Sequence, residues 1–290
     1  MNFKQIIKYD KWLIGLILLS AISLFWVYGL YQKTENDLQK FTRMDAGQLE
    51  KFIQVTDDYL KDNPDDINAN LQLGFALSLN EKNSSRAINC LERARDLGSL
   101  SPNIFSILGR LYEKNGLFKE AILSFKRYLA HDPNNREYRI RLANLHFRLD
   151  QIDEAIDELE NVYRSYSRDP VILINLARCY FQKGLLDEAE QKMGELQDVV
   201  NQLPLEGNYL LGEIYLSKGD YQQAISNFKM ELNLDPKFTP AWLGLARTYE
   251  KSGNKQEALT TWKKILQLDP ANREAKTKSR PAPPPRRRKK

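Results

Sequence analysis

The sequence predicts an all-α protein: a solenoid of about six helix pairs, preceded by a single transmembrane helix. Three observations carry this prediction. A Gly-x-x-x-x-Ala phrase returns along the chain. GLFKEAI (116–122), GLLDEAE (184–190), GDYQQAI (219–225) and GNKQEAL (253–259) start 68, 35 and 34 residues apart. Each copy joins two stretches of helical apolar period, the mark of a repeat array rather than of one closed core. Finally, residues 12–31, WLIGLILLSAISLFWVYGLY, run for 20 positions without a charge.

The elements follow in chain order. Residues 1–11 form a short basic flank holding Lys4, Lys8 and Lys11. Residues 12–31 span roughly the 30 Å of a bilayer interior as a helix. Eleven of them are Leu, Ile, Val or Phe. Trp12, Trp26, Tyr28 and Tyr31 sit toward the ends, where amphipathic rings prefer the headgroup region. A cleaved signal peptide would need a shorter apolar run and a small-residue cleavage site, and the segment offers neither. Lysines crowd the N-terminal flank, so the positive-inside rule keeps the N-terminus cytoplasmic and sends the rest across. The expectation is a single-pass protein with an extracytoplasmic repeat domain, periplasmic in a Gram-negative cell, where the anchor would lie in the inner membrane.

Residues 32–66 read as a linker and a capping helix, LEKFIQVTDDYLKDNPDD (49–66) resembling a lone second helix that covers the array's first apolar face. Six blocks then run from 67 to 272: 67–101, 102–135, 136–169, 170–204, 205–238 and 239–272. With each phrase-opening Gly taken as position 15, position 20 is Ala121, Ala155, Ala189, Ala224 and Ala258, with Ala87 equivalent after an insertion. A small residue there lets paired helices approach closely. Position 24 is large (Leu91, Phe125, Leu159, Met193, Phe228, Trp262), and Pro133, Pro236 and Pro270 end their pairs at position 32. Residues 273–290 read as a disordered Pro/Arg/Lys-rich tail. The last 20 residues hold nine Lys/Arg against Glu274, a charge of +8 within a chain of +5, so the body is mildly acidic.

These residues resemble the tetratricopeptide repeat family, whose pattern is an aromatic at 4, Leu-Gly at 7–8, Tyr at 11, Gly at 15, Ala at 20, Phe at 24 and Pro at 32. Block two matches nearly throughout, with Phe105, Leu108, Gly109, Tyr112, Gly116, Ala121, Phe125 and Pro133. The resemblance implies a right-handed solenoid in which first helices line a concave groove for peptides or protein segments. Groove positions carried over from the family select Phe75, Arg110, Asn144, Arg178, Glu213 and Arg247 at position 9, with Phe147, Phe181 and Tyr209 at positions 12 and 5. Three alternating arginines suit carboxylates or phosphates; the competing reading is that they are exposed or paired with neighbouring glutamates. Asn144 stands beside Ile140 rather than Lys, which argues against the carboxylate clamp that some members use.

Function is therefore expected to be a non-catalytic scaffold or adaptor that organises a complex at a membrane. The alternatives are a chaperone-like holdase or a cytosol-facing import-type receptor. Partners are expected to be proteins, bound through the groove, and the membrane, through the N-terminal helix; no small-molecule substrate, nucleic acid, cofactor or metal is expected. The end of the tail, Arg286, Arg287, Arg288, Lys289 and Lys290, is either a solubilising segment or a contact for an anionic surface. No P-loop, G-x-G-x-x-G, metal-ligand spacing or nucleophile motif is present. His131 and His146 fall in a turn and a core slot, and Cys90 and Cys179 lie too many repeats apart to bridge.

Overall fold

The computed structural model describes residues 40–80 and 83–279, and the chain divides into two compact units, Met1–Leu142 and Ala143–Lys290. The expected anchor at 12–31 and the basic cluster at 286–290 lie outside the described residues. Among those described, no helix is long and apolar enough to cross a membrane.

The first unit contains α1 (Ala46–Asp62), α2 (Ile67–Ser78), α3 (Ser84–Asp96), α4 (Asn103–Lys114), α5 (Phe118–Leu129) and the first half of α6 (Arg136–Arg148). The second holds the rest of α6 and α7 (Ile152–Tyr163), α8 (Pro170–Lys183), α9 (Leu186–Gln197), α10 (Gly207–Lys218), α11 (Tyr221–Leu234), α12 (Thr239–Lys251), α13 (Lys255–Leu268) and α14 (Arg273–Lys278). Helices pack pairwise in sequence: α2 on α3 and α4 on α5 in the first unit, then α8 on α9, α10 on α11 and α12 on α13 in the second.

Local chemistry fixes the ends of these helices. Asp45 accepts from the Gln48 backbone N–H at 2.8 Å while the Gln48 side chain accepts from Asp45 N–H at 3.2 Å, a capping box that starts α1. Asp66, Asp169 and Asp220 cap α2, α8 and α11 in the simpler way. At the turn within each pair, Gly184 and Gly219 take φ of 82° and 81°. A Cβ there would meet nothing within 4 Å, so backbone conformation rather than crowding selects glycine. Asp150 adopts the same left-handed turn, φ 58°, where its block lacks glycine. In each case the next N–H reaches back five residues: Leu185 to Tyr180 O, Asp220 to Tyr215 O and Gln151 to His146 O, all at 2.9 Å.

Behind the turns, the position-20 alanines are at most 4% exposed. The large position-24 side chains are buried beside them. Position 8 is pared back as well: a Cβ on Gly109 would stand 2.3 Å from the Phe125 ring. Tyrosines at position 11 tie neighbouring pairs together by hydroxyl bonds to glutamates. Tyr112 donates to Glu92 at 2.6 Å within the first unit, and Tyr180 donates to Glu160 at 2.7 Å within the second. Burial and the adjacent carboxylate push the Tyr112 hydroxyl up to about 12. His146 keeps the slot by bonding through Nδ1 to Gln151 at 2.7 Å.

One expectation is corrected at the C-terminus. Residues 273–278, assigned to the disordered tail, form helix α14, with Asn272 accepting from Ala275 N–H at 3.0 Å and Ala275 fully buried. Six residues cannot sustain a helix alone. The burial of Ala275 as the helix packs on α13 holds it, and that is not visible in a stretch whose composition is merely basic.

Candidate protein-binding face

In the first unit, the two position-9 residues separate. Phe75 is 1% exposed and belongs to the core, which removes it from any binding face. Leu71, Leu73, Ala76 and Leu77 are buried around the ring, and the outward side of α2 is left to exposed Asn68 and half-buried Gln72. Arg110 is exposed on α4. Its neighbour Glu113 pairs instead with Arg141 at 3.0 Å.

In the second unit, Asn144 is exposed and Phe147, Phe181 and Tyr209 are half-buried. Tyr209 packs edge-on against Phe238 at 5.4 Å between centroids and lies 6.0 Å from Phe228. Ile174 and Leu216, apolar residues on the same register, are core. Two of the three arginines are already engaged. Arg178 donates to Glu206 at 3.2 Å, and Arg247 grips Glu274 on α14 through Nε and an Nη at 3.1 and 2.6 Å. Each pair joins a position-9 arginine to the element 27 or 28 residues on. Lys278 answers Glu250 in the same way at 2.9 Å. Such exposed pairs add little stability, but they neutralise the face. Over Arg178, Glu206, Glu213, Arg247, Lys251 and Glu274 the charges cancel.

Glu213 is the exception. It is half-buried and makes no hydrogen bond within the described residues, and burial raises its carboxyl above the usual range although Arg247 and Lys251 pull the other way. A carboxyl whose folded value is raised costs stability as pH climbs through the interval just above its ordinary 4.5. Glu213→Gln should therefore melt at or above the wild-type temperature at pH 7, and the gap should close below pH 4.5. A lower melting temperature for the variant at neutral pH would show that Glu213 has a stabilising partner. Glu274 behaves oppositely: Arg247 holds its carboxyl low, so its contribution is present above 4.5 and lost on acidification.

The two thiols are unsuited to nucleophilic work. Burial pushes Cys179 up to about 12 and raises half-buried Cys90 as well, so both stay protonated. Among the described residues, no three His, Cys, Asp or Glu side chains are placed to hold a metal.

Comparison with known proteins agrees with this architecture. Families described as tetratricopeptide repeat match residues 79–136 and 215–278. The family described as anaphase-promoting complex, cyclosome, subunit 3 matches residues 114–196. A TPR repeat-containing protein of Bacillus subtilis, YpiA, is 26% identical over 146 residues, covering 50% of this chain but 34% of its own length. The chain thus spans about a third of that relative. The C-terminal part of a TPR repeat-containing protein from Cytophaga hutchinsonii superposes with a TM-score of 0.64 at 14% identity, over 87% of this chain and all of its own. PilW, a type IV pilus biogenesis factor, gives a TM-score of 0.59 at 17% identity, over 73% of this chain and 97% of its own. At these identities the two structures speak to fold alone.

Proposed function

Because the chain belongs to the tetratricopeptide repeat family, we propose that it is a membrane-anchored, non-catalytic scaffold that captures a segment of a protein partner on the first-helix face of its second unit. The observation that carries this reading is the combination there of half-buried Phe181 and Tyr209 with Glu213, a carboxyl without a hydrogen-bond partner. Each ring packs with one side on its hydrophobic core and leaves the rest of its surface open beside that carboxyl. Since the charges of that face cancel, the partner segment is of mixed charge with apolar side chains. Arg110, exposed on the first unit, makes no ion pair among the described residues. The uncharged run at 12–31 supports the anchor, and the lysine-rich flank supports an extracytoplasmic repeat domain.

Two measurements test this. Reporter fusions at residue 60 should be active only as extracytoplasmic reporters; a cytosolic signal would favour an import-type receptor instead. Affinity capture from native membranes should then yield a small partner set, lost by about tenfold or more when Arg110, Arg178 and Arg247 are all changed to Glu. Adding Glu206→Arg and Glu274→Arg restores the internal pairs. If capture returns with them, the arginines serve the fold and not the partner. Suppression of aggregation of many unrelated clients would instead mark a holdase.

A further inference from the structure

In the repeat register, an arginine at position 9 goes with a glutamate at position 2 of the next block. Arg110 is followed by Glu137, Arg178 by Glu206 and Arg247 by Glu274, while Phe75, Asn144 and Glu213 are followed by Asn103, Val171 and Pro240. The second unit shows what the match does. Both of its arginines are closed by that glutamate, at 3.2 Å on Arg178 and at 3.1 and 2.6 Å on Arg247. Arg110, in the first unit, is not closed. It is exposed and has no partner among the described residues.

The cause is Arg141, at position 6 of block three. Its Nε donates to Glu137 at 3.0 Å, and one Nη donates to Glu113 on α4 at 3.0 Å. Glu137 is thereby drawn one turn along α6, an i,i+4 pairing that helices favour. The same four positions recur at the end of the array as Arg247, Glu250, Glu274 and Lys278. There position 6 is a lysine, a point charge that bonds Glu250 alone at 2.9 Å and leaves Glu274 to Arg247. Neither quartet carries a net charge, but they divide it differently. Around Lys278 it falls into two pairs; around Arg141 one cation holds two carboxylates, and Arg110 is left over.

We propose that Arg110 is a docking point for a single carboxylate side chain of a protein partner, and that the forked guanidinium of Arg141 keeps it open. A guanidinium matches a carboxylate with two parallel bonds, and a carboxylate is what closes the two equivalent arginines. Glu113 lies one turn from Arg110 on α4, and the cluster it forms with Arg141 and Glu137 has one negative charge in excess. That cluster repels a dianionic phosphate or a run of acidic residues, but tolerates one acid among uncharged or basic neighbours. The inference rests on the proposed function only in that first helices capture a protein segment. It needs the first unit alone, so a second-unit face that bound nothing would leave it standing.

Peptides selected by display on the full-length chain and, in parallel, on its Arg110→Gln variant test this. A set carrying one Asp or Glu among uncharged or basic residues should enrich on the wild type alone, and should bind the variant about tenfold or more weaker. Arg141→Lys should weaken that set by up to about fivefold, the worth of an exposed ion pair, because Glu137 then closes on Arg110. Adding Glu137→Gln to Arg141→Lys should restore wild-type affinity. All three side chains reach solvent, so the variants keep the fold. The proposal is overturned if both baits enrich the same peptides, if the wild-type set lacks acids or is rich in them, or if phosphoserine in place of the acid binds more tightly. It is equally overturned if Arg141→Lys binds as wild type or if Glu137→Gln does not reverse its effect. Peptides lost with Arg178→Gln and Arg247→Gln but kept by Arg110→Gln would support the second-unit face and count against this one.

Discussion

Phe228→Ala is expected to lower the stability of the second unit by about 3–5 kcal/mol, the largest effect of any single truncation considered. The ring is fully buried and lies between two glycines of successive pairs. A Cβ on Gly212 would come within 2.6 Å of it, and one on Gly244 within 2.4 Å. Both glycines therefore exist to admit this one side chain, and the space they leave cannot be refilled by small shifts of α10 and α12 once it is gone. Tyr209, 6.0 Å away, loses its packing partner in the same step. Urea unfolding should show the loss, and hydrogen exchange should place it in α10 to α12. Repeat arrays transmit destabilisation mainly to nearest neighbours, so uniform loss of protection throughout the chain would contradict this account. So would a cost below about 1 kcal/mol, which would mean the cavity collapses.

Glu231→Ala should cost about 2–3 kcal/mol. Glu231 is fully buried, and its two carboxyl oxygens accept from the backbone N–H groups of Glu206 at 3.0 Å and Tyr209 at 3.2 Å. Helix α10 begins after Glu206, whose φ of 66° is left-handed and whose own side chain makes no capping bond. The cap is thus supplied by α11, 25 residues along the chain. Alanine leaves both donors unsatisfied at a buried helix start. Glu231→Gln keeps one acceptor oxygen and should cost roughly half as much. Thermal melts of the two variants decide the matter: equal and small losses for both would show that the backbone donors find other partners.

These two sites show where sequence reading runs out. The Phe at position 24 and the Gly at position 8 follow from the repeat pattern, so half of the Phe228 sandwich was legible. Gly244, at position 6, was not, because nothing in its own block asks for glycine; the demand comes from the preceding pair. Glu231 gave no signal at all, since it sits among solvated-looking residues and its partners lie at the start of the preceding helix, 25 and 22 residues back. The candidate face was read in the same partial way. Arg178, Arg247 and Glu213 were picked out as position-9 residues, but the pairing of both arginines with Glu206 and Glu274 turned an apparently basic stripe into a neutral one.

By itself the sequence determined the helix pairs, their turns and the buried small–large layers. Helical period, the left-handed turn that glycine favours and the approach that alanine permits are properties of one residue and its near neighbours, so a linear reading contains them. Only the tertiary structure decided that Phe75 is core, that residues 273–278 fold as a helix against the array and that two arginines are already neutralised. Each of those depends on which side chain from a different helix arrives at the same point, and hydrogen bonds and close ion pairs weaken or vanish over a few ångströms.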